Sequence, residues 1–297
     1  MLKDQAATLR SIAARGVPAR QRFQHSRVIV VASGKGGVGK TNIAVNLGLA
    51  LAERGLQVAI LDADMGLANA DILLGINSRY NLSHVINGER TVTEVMTTGP
   101  WGLQLIAGGS GVAELANLGQ NDLANFIDNL HELDEALDIL IIDTGAGISH
   151  SVLSFALASD EVLVVATPDP TSLADAYGLI KVLDRRNPRA QLRVVVNMCE
   201  TEYQGREVFD KLNGVSRRFL SRELDWAGSI PRDVMVQRAV QGFQPFYIVY
   251  PRSHAAIAIG QLADGLTARE PASHVSTGIR GIGGFFRRML NSSKMTK

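Results

Sequence analysis

Cysteine is nearly absent from this 297-residue sequence. Cys199 stands alone, so no intrachain disulfide can form and no C-x-x-C pair exists to seat a metal cluster. Its neighbours Val194, Val195, Val196, Asn197 and Met198 read as a buried strand, which makes it a structural thiol rather than a nucleophile. No uninterrupted apolar run reaches the ~18–20 residues that a membrane-spanning helix requires. The opening residues, MLKDQAATLR, lack the apolar stretch of a secretory leader, so a cytoplasmic location is expected. With 46% hydrophobic and 20% charged residues, the chain has material for a large core. Its pattern points to one main domain, 27–266, with an appendage at each end, 1–26 and 267–297.

Net charge is also scarce, at +1, but it is unevenly placed. Residues 1–27 hold six Lys/Arg and one Asp, and residues 268–297 hold six Lys/Arg and one Glu, so each end carries +5 and the middle −9. Basic ends on an acidic body suit docking onto an anionic surface, such as a membrane or a nucleic acid; solvated tails are the plain alternative.

Short apolar runs punctuate the body: Val28–Ala32, Val58–Leu61, Leu103–Ala107, Ile139–Ile142, Val162–Ala166 and Leu192–Val196. Helical spacing fills most of the gaps, as in Asn42–Arg54, Asp122–Leu137, Ser149–Ala158 and Ser172–Arg185. Continuous apolar strands alternating with helices predict a doubly wound α/β fold with a mostly parallel sheet. Ligands in such folds bind at the carboxyl ends of the strands, where Gly34–Thr41, Asp62, Asp64, Asp143 and Asn197 all fall.

Gly34-Lys35-Gly36-Gly37-Val38-Gly39-Lys40-Thr41 fits G-x-x-x-x-G-K-[ST], with a strand before it and a helix after it. The glycines let successive N–H groups turn inward on phosphates, and the helix beginning at Lys40 adds its positive dipole end. Lys40 is placed to neutralise the outer phosphates, Thr41 to ligate Mg²⁺, and Asn42 to sit on the nucleotide in the first helical turn. Asp143, closing DILIID, is placed to hold Mg²⁺ through a water. ATP or ADP with Mg²⁺ is therefore the expected cofactor set.

Lys35 is more than a generic phosphate loop needs. K-G-G-x-G-K-[ST], met by Lys35 through Thr41, resembles the deviant Walker A motif of the MinD/ParA family, and the likeness extends over about residues 27–266. The resemblance implies an ATP hydrolase in which Lys35 reaches the phosphates of a facing subunit, sandwiching two nucleotides in an ATP-dependent homodimer. Asp62-Ala63-Asp64-Met65-Gly66-Leu67-Ala68-Asn69 is similar to the family's first switch; Asp64 would position or activate the attacking water and Asp62 would support Mg²⁺ or the switch. Asp143-Thr144-Gly145-Ala146-Gly147 resembles the second switch, D-[ST]-P-A-G, but Gly145 stands where proline is common. Asn197 resembles the adenine-reading asparagine, and Ile230-Pro231-Arg232-Asp233 the segment over the base, which makes Asp233 a base-contact candidate.

Within the family, the flagellar-number regulators (FlhG, or FleN) are resembled most. Asp4-Gln5-Ala6-Ala7-Thr8-Leu9-Arg10 matches their DQAxxLR motif, which implies that Asp4, Gln5, Leu9 and Arg10 contact and stimulate the flagellar signal-recognition-type GTPase FlhF. Pro170–Tyr177 and DADMGLANADILLG are similar to that subfamily as well. In the tail, Ile279, Ile282, Phe285, Phe286, Met289 and Leu290 share one side at helical spacing, with Arg280, Arg287 and Arg288 beside them. This reads as an amphipathic anchor for the anionic inner face of the cytoplasmic membrane, unfolded in water and helical on the bilayer, doubled by dimerisation. A flagellar transcription activator and switch-ring proteins are further partners that the resemblance implies, while nucleic acid is not expected. The competing readings are a septum-placement ATPase and a DNA-partition ATPase; a cluster-carrying ATPase is disfavoured by the lone cysteine.

Overall fold

The computed structural model describes residues 25–64, 69–115, 126, 130, 133–268 and 281–294. The motif at Asp4, Gln5, Leu9 and Arg10, the tail residue Ile279, and switch residues 65–68 lie outside these.

Eight strands form one sheet: β1 (Arg27–Ser33), β2 (Val58–Ala63), β3 (Thr97–Thr98), β4 (Gln104–Ala107), β5 (Ile139–Ala146), β6 (Glu161–Ala166), β7 (Leu192–Cys199) and β8 (Asp225–Pro231), in the order β3-β4-β2-β5-β1-β6-β7-β8. Every pairing is parallel except β3 with β4. The six apolar runs are all strands. β3 is a two-residue edge, and β8 carries the polar run DWAGSIP, so neither shows the apolar continuity that marks the centre.

The strands are apolar throughout because both faces are covered. Val28, Val30 and Ala32 point to one layer, while Ile29 and Val31 point to the other. The second layer holds α1 (Lys40–Glu53), α2 (Ala70–Leu74), α9 (Val234–Gln241), α10 (Phe246–Val249) and α11 (His254–Thr267). The first holds the short α3 (Leu82–Ile86), α4 (Val92–Val95) and α5 (Gly111–Leu115), then α6 (His150–Ala158), α7 (Pro170–Arg186) and α8 (Glu202–Leu220). Among the described residues no helix is long and apolar enough to cross a membrane.

The tail departs from expectation. It forms a helix, α12 (Gly281–Lys294), docked on α6 and β1 of its own body. Ile282, Phe285, Phe286, Met289 and Leu290 are buried, with Phe285 fully so, and Phe126, Phe155 and Phe285–Phe286 form a chain of ring contacts at 4.9–6.2 Å. The same apolar stripe that suits a bilayer satisfies itself against any apolar groove, and the body supplies one between α6 and Phe126. Asp134 caps the helix: its carboxylate accepts from Ile282 N–H at 2.5 Å and Gly283 N–H at 3.2 Å. Gly281, at φ 84°, makes that approach possible, since a Cβ there would meet the Asp134 carboxylate at 2.3 Å. Arg288, midway along the helix, fastens it to the body, donating to Ala158 O at 2.9 Å and to Asp160 at 3.2 Å.

Candidate functional site

The sheet order places β1 between β5 and β6, so the loop 34–39 leaves the middle of the carboxyl edge and α1 starts over it. Gly37 and Gly39 have left-handed torsions, φ 76° and 90°. Gly34 is required for a different reason: a Cβ there would lie 2.2 Å from the carbonyl oxygen of Asp175, so α7 presses directly on the loop. Lys40 is buried at the first position of α1. Burial pulls its ammonium below the usual value, opposed by the charges of Asp143 and Asp64.

Parallel register sets Asp62 on β2 beside Asp143 on β5. Asp143 is 1% exposed, shares a hydrogen bond with the Thr41 side chain, and keeps Oδ1 without any partner. Burial pushes its carboxyl up to about 7, the Thr41 bond and Lys40 opposing, Asp62 and Asp64 reinforcing. A buried, unpartnered carboxylate oxygen beside a threonine hydroxyl and a phosphate loop is a donor set suited to Mg²⁺, so Thr41 and Asp143 could hold the ion.

Asp62 has a different duty. Its Oδ1 accepts from Asp64 N–H at 3.2 Å, and its Oδ2 from Asn69 N–H at 3.1 Å and Ala70 N–H at 3.2 Å. It therefore ties both ends of the first switch and caps α2. Burial raises its carboxyl above the usual range against these three bonds. Asp64 faces the second switch: a Cβ on Gly145 would stand 3.3 Å from Asp64 Oδ1, so glycine in place of proline leaves this carboxylate room. That switch is held at its base by Thr144 Oγ1 donating to Val31 O at 3.0 Å and Gly147 N–H donating to Ser33 O at 2.9 Å.

Lys35 is engaged within its own subunit. Its Nζ donates to Asp169 at 2.8 Å and to Thr171 Oγ1 at 2.5 Å. Asp169, the cap of α7, is drawn down to about 2 by the Lys35 bond first and the Thr171 amide second. Asp169 was not among the expected site residues, although a carboxylate just past the end of β6, in Thr167-Pro168-Asp169-Pro170, was a usable signal.

Two expected base contacts are otherwise occupied. Asn197 is buried, with Nδ2 donating to Val38 O at 2.8 Å and Oδ1 accepting from Met198 N–H at 2.9 Å. Its amide fastens the phosphate loop from below. Asp233 caps α9, accepting from Met235 N–H at 2.9 Å, and its other oxygen accepts from Ala255 N–H at 3.2 Å at the start of α11. With both oxygens taken by backbone amides, it is a helix cap rather than a free base contact.

Two hollows flank the loop. One, of about 520 Å³, runs from Thr41 and Asn42 past Asp64 and Asn69 to Met198 and Phe243. The other, of about 450 Å³, lies between Lys35–Val38, Asp169, Glu200 and Arg232. Met198, at φ 60°, lines both. Phe243, 62% exposed at φ 52°, has no sequence signal that would have revealed it.

Residues 24–267 match the ParA family described as NUBPL iron-transfer P-loop NTPases. The antiactivator FleN of Pseudomonas aeruginosa is 44% identical over 80% of this chain and 85% of its own length. The flagellum site-determining protein YlxH of Helicobacter pylori is 34% identical over 90% of each. Among solved structures, the MinC:MinD cell division complex of Aquifex aeolicus superposes with a TM-score of 0.66 at 26% identity, covering 82% of this chain and 97% of that one. The phosphate loop, the paired strand-end carboxylates and these likenesses agree: the chain belongs to the ParA/MinD family of P-loop ATPases.

Proposed function

We propose that the chain is an ATP-driven dimerising switch that sets flagellar number or placement. The observation that carries the reading is the second lysine. Lys35 sits at the mouth of the phosphate loop, 39% exposed, held by a surface carboxylate and a hydroxyl that it can exchange for a phosphate. Exchange onto the nucleotide of a facing subunit would convert ATP binding into dimerisation and supply a cation to the transferring phosphoryl group. Bound Mg²⁺ would neutralise charge on the outer phosphates. Lys40 would hold the same phosphates, and Asp64 would orient the attacking water across the gap from Gly145. Thr144 and Asp62 would keep the two switches in register.

The docked tail gives the cycle its second output. In the proposed cycle, ATP and dimerisation free α12 from its groove, and paired tails hold the dimer on the anionic inner membrane face. There residues 4–10 stimulate the flagellar signal-recognition-type GTPase, and hydrolysis returns the protein to the monomer. A flagellar transcription activator and switch-ring proteins remain candidate partners. The flagellar reading is supported by relatives named an antiactivator FleN and a flagellum site-determining protein. A septum-placement role is the second reading, favoured by the likeness to the Aquifex MinD. Iron transfer, named in the family description, is disfavoured by a single, buried cysteine.

The test is a pair of variants and one deletion. Asp64→Ala is expected to bind ATP, accumulate as dimer and hydrolyse about 10²–10⁴-fold more slowly; Lys35→Ala is expected to bind ATP and stay monomeric by light scattering. Wild-type hydrolysis by Asp64→Ala sinks the catalytic assignment. Full-length protein should accelerate GTP hydrolysis by the flagellar GTPase and a chain lacking residues 1–26 should not; equal inactivity of both returns the septum reading to the front.

A further inference from the structure

We infer that the chain carries a second membrane-contacting surface apart from its tail: a basic corner of Arg185, Arg186, Arg189, Arg217 and Arg218 around the exposed Phe219, which fits the anionic headgroups of a lipid bilayer. The inference rests on the membrane reading proposed above.

The corner is built by two helix ends. Arg185 and Arg186 lie in the last turn of α7, and Arg217 and Arg218 in the last turn of α8. Arg222 staples the two together: it pairs with Asp184 at 2.8 Å, donates to Pro188 O at 3.2 Å, and donates again to Ala190 O. Helix carboxyl ends carry partial negative charge, which offsets the mutual repulsion of the cations gathered there. All five arginines are exposed. Among the described residues none has a carboxylate within 4.0 Å, as is also true of exposed Arg79, Arg238 and Arg252; what sets the five apart is that two helix ends and the turn after one of them gather them. Arginines left unpaired together on a body whose middle is acidic present a focused positive field.

Apolar surface crowns the same corner. Phe219 is 64% exposed under the Arg218 guanidinium, 5.3 Å from its ring, and Val215 one turn earlier is 38% exposed. A phenylalanine tip beside the Arg218 guanidinium suits the headgroup boundary, where the ring enters the acyl edge and the guanidinium head stays with the phosphates. A duplex tracked through its phosphates would leave that tip without apolar company.

Placement supplies the third argument. Ala190 precedes β7, so the corner lies at the amino edge of the sheet, opposite the nucleotide cradle. The tail belongs to that edge too. Arg27, which opens β1, donates to Leu266 O at the end of α11, where the chain leaves for the tail, and Arg288 of α12 holds Ala158 O and Asp160 just before β6. A bilayer that receives the tail therefore meets the arginines.

The test uses full-length protein with ATP and Mg²⁺, sedimented with phosphatidylglycerol-containing vesicles and with phosphatidylcholine vesicles. An arginine near an anionic surface changes affinity roughly fivefold, so the variant R185Q/R186Q/R217Q/R218Q should bind the anionic vesicles several-hundred-fold more weakly. Phe219→Ser should weaken binding while keeping its salt dependence. Quadruple-variant binding equal to wild type overturns this inference and leaves the tail reading standing. Failure of the wild type to bind anionic vesicles at all overturns both. Arginine-dependent binding to a short DNA duplex, with vesicle binding unchanged, overturns it in favour of nucleic acid.

Discussion

Asp134→Ala should loosen the tail without altering the tail itself. The Asp134 carboxylate accepts from two amides at the start of α12, at 2.5 and 3.2 Å, and the substitution leaves both without a cap. Loss of a helix cap costs about 1 kcal/mol. If docked and released tails are in equilibrium, that shifts their ratio roughly fivefold toward release. Ile282, Phe285, Phe286, Met289 and Leu290 keep their membrane chemistry, so anionic-vesicle affinity measured without ATP should rise by about the same factor. Hydrogen exchange at the amides of 282–290 should quicken by that factor as well, with the amides of β1 and β5 unchanged. Unchanged exchange in the tail would show that the cap does not hold it. Faster exchange with unchanged vesicle affinity would refute the idea that docking limits membrane access.

Gly34→Ala should lose ATP binding and about 1–3 kcal/mol of stability by overpacking, because its Cβ would overlap Asp175 O, whereas a Cβ on Gly36, which has no left-handed torsion, would meet only Ala146 Cβ at 3.9 Å; thermal melts of the two variants check the contrast. Asn197→Ala should cost about 1–3 kcal/mol by orphaning the loop carbonyl, and calorimetry with ATP and GTP decides its role: equal losses mark a loop clamp, a changed preference marks a base reader. Burial holds the Asp143 carboxyl above its unfolded value of 3.8, at about 7. The folded state thus binds a proton that the unfolded state lacks across that window, so stability in chelator should fall as pH rises from about 4 through about 7 and level off above it. Asp143→Asn should flatten that slope, and a slope unchanged by the substitution refutes the assignment.

The nucleotide cradle was legible because its signals are local. Six apolar runs, Gly34–Thr41 and a carboxylate at the end of DILIID depend on backbone torsion and strand position, which adjacent residues dictate. Lys35 stood out through the resemblance of Lys35–Thr41 to the family's K-G-G-x-G-K-[ST]. Side chains whose partners lie far along the chain were not legible. The contact of Lys35 with Asp169 spans 134 residues, that of Asn197 with Val38 spans 159, and that of Asp134 with Ile282 spans 148. Asp233 shows the limit clearly: a carboxylate before a helix reads equally as a ligand contact or a cap, and only the arrival of Ala255 N–H at its second oxygen decides. The tail shows it again. Its sequence determined an amphipathic helix with Phe285 and Phe286 on the apolar side; which apolar surface receives that side is a matter of what else is near. Hydrophobic burial has no preferred partner, so only the tertiary structure, with its groove between α6 and Phe126, placed it on the body.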